Sequence, residues 1–230
     1  MSNAVLANTA LDLAAIDTRG VNRALQAAEA GAFTVLNPAG AHALACGLTT
    51  PVEVTVKGHC GYYAAGMNQA ASVTIEGNAG TGVAENMMSG VVRVTGNASQ
   101  SSGATGHGGL LVVEGNTSAR CGISMKGINI VVGGSVGHMS AFMGQAGALV
   151  VCGDAGADLG DSVYEARLYV AGNVASLGAD CIEKEMTPHH LAKLGRLLTA
   201  AGMGADPSTF RRFGSARRLY NFNIDNLDAY

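Results

Sequence analysis

The chain has no tryptophan, only 13% charged residues and a net charge of -3 at neutral pH. That balance supplies no basic surface for nucleic acid or for an anionic membrane. No apolar run approaches the roughly 18 residues that a membrane span needs, and Met1-Ser2-Asn3 leads into no charged-then-apolar signal segment. The expectation is a soluble, cytoplasmic protein with neither nucleic acid nor membrane as partner. The five cysteines (Cys46, Cys60, Cys121, Cys152 and Cys181) are odd in number and form no CxxC pair, and there is no HExxH. Free thiols are therefore expected rather than a disulfide framework or a zinc site.

Glycine, by contrast, is abundant, with 33 residues. Seven of them (Gly58, Gly77, Gly96, Gly115, Gly134, Gly153 and Gly172) follow one another at a spacing of 19 residues. Four places before each stands Val54, Val73, Val92, Leu111, Ile130, Leu149 or Leu168. Two places before each stands Val56, Ile75, Val94, Val113, Val132, Val151 or Val170. Two aliphatic residues separated by one variable position give the in-out-in alternation of a strand buried on one face, not the i, i+3, i+4 spacing of a helix. After the glycine come Asn78, Asn97, Asn116 and Asn173, or His59, Ser135 and Asp154. Because Gly and Asn tolerate left-handed backbone conformations, these positions are expected to be the turns.

A fixed period near 20 residues, with one strong strand per unit, marks a solenoid whose coils bury their inner faces on one another. Parallel stacking at roughly 4.8 Å per coil makes seven cassettes a rod about 30 Å long. The predicted fold is an all-β solenoid, a right-handed parallel β-helix of about seven 19-residue coils with short N- and C-terminal helices. A strict hexapeptide type is disfavoured, since three hexads need 18 residues and the extra residue would put side chains out of phase. The organisation expected is a lead-in segment over 1–36, the β-helix over 37–180 and a C-terminal cover over 181–230. The lead-in carries a helix over 20–30, capped by Asp17 or Thr18 and ended by Gly31. A degenerate first coil occupies 33–50. Thr187-Pro188 opens a helix with the stripe Leu191, Leu194, Leu198 and Ala201, ending at Gly202. Residues 204–230 read as an extended basic tail, since the last 44 positions hold six Lys and Arg against three acids.

Chemistry-bearing residues do not converge in this pattern. His59, His107 and His138 fall at different phases of the cassette and so face different sides of the rod. Cys60 and Cys121 read as small buried hydrophobes rather than nucleophiles. Asp158, Asp161 and Glu165 share one coil, but without a calcium nonapeptide they read as a solvated corner. The run Gly77-Asn78-Ala79-Gly80-Thr81-Gly82 resembles a phosphate cradle only superficially, since no helix follows it. One surface does stand out. The outward strand position is Thr55, Thr74 and Arg93 in early coils but Val112, Val131 and Val150 in later ones. Such an apolar ladder needs a cover, either the 187–203 helix or a partner subunit. It is a candidate interface together with Arg211, Arg212, Arg217 and Arg218.

The glycine pattern, the lead-in Asn37-Pro38-Ala39-Gly40-Ala41-His42-Ala43-Leu44-Ala45-Cys46-Gly47-Leu48 and the ending Leu219-Tyr220-Asn221-Phe222-Asn223-Ile224-Asp225 together resemble the GXGXG family. This is the domain that closes the large subunit of glutamate synthase and also occurs as a separate chain. Among the separate chains the sequence is most similar to the B subunit of N-methylglutamate synthase and related glutamate-synthase-like complexes. The resemblance covers nearly the whole chain. It implies a right-handed β-helix that performs no chemistry itself and holds together a glutamine amidotransferase-like subunit and an FMN-binding subunit with an iron-sulphur cluster. The complex would exchange methylamine for the ammonia of glutamate. This chain has no N-terminal cysteine, no cluster of cysteines and no (β/α)8 pattern, so no catalytic, cofactor-binding or metal-binding residue is carried over. The β-helix subunit of formylmethanofuran dehydrogenase is the rival within the fold. An independent β-helix acyltransferase or polysaccharide lyase is the rival outside it.

Overall fold

A computed structural model describes residues 8–219, so the motif residues 220–225 and the rest of the tail lie outside the described residues. The cassettes form a parallel β-helix. Its principal sheet contains β1 (Asn8–Asp12), β2 (Gly31–Leu36), β3 (Val52–Val56), β4 (Ser72–Ile75), β5 (Val91–Val94), β6 (Leu110–Val113), β7 (Lys126–Val132), β8 (Ala146–Val151) and β9 (Arg167–Val170), each parallel to the next. The register is the cassette itself: Val54, Val73, Val92, Leu111, Ile130, Leu149 and Leu168 form one row of neighbours. Both inner rows are almost fully buried and make up the main core.

A second side of each coil is narrower. Cys60, Ala79, Ala98 and Thr117 bridge in succession, as do Val136, Ala155 and Val174. The third side has a conformation that no residue pattern announced. Every second residue there is left-handed: Tyr63, Ala65 and Met67 in one coil and Met139, Ala141 and Met143 four coils later, with φ between 52° and 59°. A non-glycine residue in that region costs roughly 1–2 kcal/mol. It is held there because successive N–H groups bond to opposite neighbours: Tyr63 N–H donates to the Thr81 carbonyl of the following coil, and Ala65 N–H to the Leu44 carbonyl of the preceding one.

The seven glycines have a different reason from the one expected. Among them only Gly58 is left-handed (φ 137°), and Asn78, Asn97, Asn116 and Asn173 are not left-handed at all. The asparagines instead stack. Asn78 Oδ1 accepts from Asn97 N–H at 2.8 Å, and Asn97 Oδ1 from Asn116 N–H at 2.8 Å. The ladder continues through Asn116, Ser135 and Asp154 to Asn173 and begins at His59 Nδ1, which accepts from Asn78 N–H. That side-chain oxygen leans over the glycine of the next coil. A Cβ at Gly115 would lie 2.5 Å from Asn97 Oδ1 and 2.8 Å from the Gly96 carbonyl oxygen. From Gly77 to Gly172 glycine is required by close approach, not by backbone angle.

The two ends also differ from expectation. The lead-in segment contributes β1 to the sheet, so the solenoid starts before residue 37, with a wider coil whose return is α1 (Thr18–Ala27). Asp17 caps α1, accepting from Gly20 N–H at 2.7 Å, and Val21 and Leu25 are buried. The helix ends at Ala28 in extended conformation, while Gly31 (φ 131°) opens β2. At the other end the period stops after an 18-residue step from Leu159 to Leu177. β10 (Cys181–Lys184) and β11 (Arg211–Ser215) then continue the sheet antiparallel, in the order β9-β11-β10. The basic segment read as a tail thus supplies a strand. Phe213, opposite Leu168, is buried and closes the inner core.

The glycine contacts predict that Gly115→Ala lowers stability by about 1–3 kcal/mol, the usual range for overpacking. Gly204→Ala, whose Cβ would meet nothing within 4 Å, should leave stability nearly unchanged. Thermal unfolding of the two variants checks this, and equal midpoints would refute the close-approach account.

Candidate interaction surface

The outward ladder has its cover. Val112, Val131, Val150 and Tyr169 are fully buried in a second apolar layer with Leu194, Leu198, Ala201 and Phe210. The occupant is the chain's own α2 (Pro188–Ala201), so Val112, Val131 and Val150 present no free surface. Thr187 stands at the N-cap, but its side chain makes no capping bond; Gly202, left-handed at φ 71°, closes the C-terminus. Arg93, the last polar residue before the ladder turns apolar, donates to the Ala201 carbonyl at 3.0 Å and pairs with Glu114 at 2.9 Å. A cation at a helix C-terminus is favourable against the macrodipole.

The four tail arginines part company. Arg211 lies over the Phe213 ring and reaches Glu183 at 3.5 Å. Arg218 is anchored through its N–H to Asp180. Arg212 and Arg217 instead turn into a cleft of about 200 Å³ between β9, β10, β11 and the start of α2, which Arg167, Lys184 and His190 also line. Register explains the grouping: Arg212 opposes Tyr169 on β9 and Lys184 on β10, so the outward column continues past the valines into cationic residues. Arg167 was missed in the sequence because its partners in space come from strands that carry no period.

His107 and His138 are exposed and lie on different coils, while the other candidates are engaged locally. His59 serves the asparagine ladder. The Asp158 carboxylate accepts from Ser176 at 3.3 Å, Asp161 accepts from Ser162 and Ala179, and Glu165 pairs with Arg217 at 2.9 Å, so these acids do not form one site. Among the described residues no group of three or more His, Cys, Asp or Glu could hold a metal, and no helix is long and apolar enough to cross a membrane. Burial pushes the thiols of Cys60 and Cys121 up to about 12 and that of Cys181 up to about 11. At the opposite end of the rod one apolar group is exposed. Tyr62, Tyr63 and Met67 are each about half exposed (52%, 50% and 53%), with Tyr62 stacked on His42 at 4.6 Å between ring centres.

The molecule is therefore a parallel β-helix protein whose own C-terminal helix seals the apolar part of its outward column and whose described surface includes a cationic cleft and an aromatic patch. Over 225 residues it is 60% identical to Protein GlxC of Rhizobium meliloti (strain 1021), the alignment covering 96% of this chain and 99% of that protein. The chain belongs to the GlxC family. No family model matches it, and no solved structure does.

Two outcomes follow from the packing. Leu198→Ala should cost about 2–5 kcal/mol, the range for a buried leucine, measured by denaturant unfolding; a cost under about 1 kcal/mol would mean that α2 is not seated on the ladder. The buried thiols favour the neutral form in the folded state, against 9.0 for an ordinary thiol. With the folded value raised, their contribution is complete below the unfolded value and is lost as pH rises from about 9 towards 12. Alkylation at pH 8 followed by mass spectrometry should leave Cys60 and Cys121 unmodified until the chain is unfolded.

Proposed function

We propose that this chain is the non-catalytic β-helix subunit of a glutamate-synthase-like flavoenzyme complex, and specifically of an N-methylglutamate synthase. It would hold an amidotransferase-like subunit and an FMN and iron-sulphur subunit in register while the complex forms N-methylglutamate and ammonia from methylamine and glutamate. The observation that carries the reading is how the side chains capable of chemistry are used. The thiols of Cys60 and Cys121 fill the core, the histidine at 59 starts a hydrogen-bond ladder, and the carboxylates of Asp158, Asp161 and Glu165 each bond to a neighbour. Groups committed in this way to packing and ladders support a scaffold role. The motif resemblance to the GXGXG family supports the partners, and the architecture is the one that resemblance implies. Tyr62, Tyr63 and Met67 supply a surface for one of the partners, because exposed tyrosines with an apolar neighbour are typical interface anchors.

Purified alone, the chain should be colourless and without glutamine-dependent or methylamine-dependent turnover. Mixed with the flavin and amidotransferase-like subunits it should co-elute with them and support N-methylglutamate formation. Tyr62→Ser with Tyr63→Ser should weaken assembly by about tenfold or more while the isolated chain keeps its β-sheet circular dichroism. Turnover by the isolated chain would overturn the scaffold reading. Flavin-subunit turnover that is indifferent to this chain would overturn its place in the complex.

A further inference from the structure

The cleft at the C-terminal end of the rod is built from residues that the scaffold reading does not use. Four cations line it, Arg167, Lys184, Arg212 and Arg217, with one carboxylate, Glu165, so four minus one leaves three positive charges beside His190. Glu165 belongs to Arg217 through a 2.9 Å ion pair. Among the described residues Arg167, Lys184 and Arg212 have no carboxylate within ion-pair distance. Arg212 gives its Nε–H to the Glu185 carbonyl at 2.8 Å and feels the Glu185 charge without pairing with it. Arg167, Lys184, Arg212 and His190 are all half-buried, and Lys193 and His189 of α2 add charge potential from above.

Crowding like charges at a half-buried site is unfavourable unless an anion neutralises them. The titration of the lining reflects this. Burial first, then Arg212, Arg167, His189 and Lys193, hold His190 below its ordinary value. Burial, then Arg167 and Arg196, do the same to Lys193. Burial and Arg167 also hold Arg212 down, against the opposing pull of Tyr169 and Glu185. The space is too small for a nucleotide or a flavin, whose pockets run to several hundred Å³. It admits an oxyanion and a few further atoms. Two guanidinium groups and an ammonium arriving from three adjacent strands can meet several oxygens of one tetrahedral group from different directions.

We propose that the cleft between β9, β10, β11 and α2 is a binding site for a phosphate-sized dianion, held by Arg167, Arg212 and Lys184 beside His190. The site ties the antiparallel end strands to α2, so the bound anion braces the end of the rod. This function is independent of the partners assigned above, and its failure would leave the scaffold reading intact.

The test is isothermal titration of the full chain with inorganic phosphate at constant ionic strength, followed by NMR of the His190 ring with and without sulfate, a dianion across the titration range. One saturable site is expected. Arg167→Gln and Lys184→Gln should each weaken it by about tenfold or more, as for loss of a charge-assisted hydrogen bond. Arg212→Gln should do the same; circular dichroism reports whether that strand variant is folded, and the other two decide if it is not. Sulfate should raise the His190 pKa, because a neighbouring dianion favours the imidazolium. The proposal is overturned by absence of saturation, by an equal response to sodium chloride, by binding unchanged in Arg167→Gln and Lys184→Gln, or by a His190 pKa that sulfate does not move.

Discussion

The periodic coils of this protein must come close enough to one another for a side-chain acceptor to reach across and take a backbone N–H. The ladder from His59 through Asn78, Asn97, Asn116, Ser135 and Asp154 to Asn173 makes that contact at 2.7–2.9 Å in each step. It leaves no room for a Cβ beneath it, and so the glycine column from Gly77 to Gly172 is obligatory. Once this corner is locked, the two aliphatic rows stack without slippage, and a one-residue shift would turn every inward side chain outwards. The left-handed residues of the third side are tolerated for the same reason: their amides are already committed to both neighbouring coils.

A solenoid has two open ends and one exposed sheet face, and each is a hazard. Here one outward column deals with the face and one of the ends in succession. It is polar at Thr55 and Thr74, meets the C-terminus of α2 at Arg93, is apolar beneath α2 from Val112 to Tyr169, and becomes cationic at Arg212 and Lys184, where the strands reverse direction. Reversal matters because an antiparallel pair cannot extend the parallel stack by another cassette. Phe213 and Cys181 plug the core behind it, as Val21 and Leu25 of α1 do at the start.

This economy bears on function. A rod in which His59, Asp158, Asp161 and the thiols of Cys60 and Cys121 serve its own ladders, corners and core carries further chemical character at the surface, in an aromatic patch at the first coils and a cationic cleft at the last. The two are distinct in chemistry: stacked rings with an exposed methionine suit a protein surface, whereas the guanidinium groups of Arg167 and Arg212 around a small space suit an oxyanion.

The period, the two buried rows, the solenoid class and the approximate place of both helices were legible in the sequence, because each depends on residue type at fixed spacing. Val54 and its six equivalents could be read as a strand without any knowledge of their neighbours. The purpose of the glycines was not legible, since a glycine needed for φ and one needed for clearance look the same until the asparagine of the preceding coil is placed above it. The alternately left-handed side was visible only as an enrichment in Ala and Gly. The candidate surface divided likewise. Residue types alone made the valine column apolar and the C-terminal segment basic. That α2 covers the valines, that β1 and β11 belong to the sheet, and that Arg212 and Arg217 meet Arg167 and Lys184 in one cleft emerged from the folded chain, because those contacts join aperiodic segments whose pairing depends on where the periodic coils begin and end.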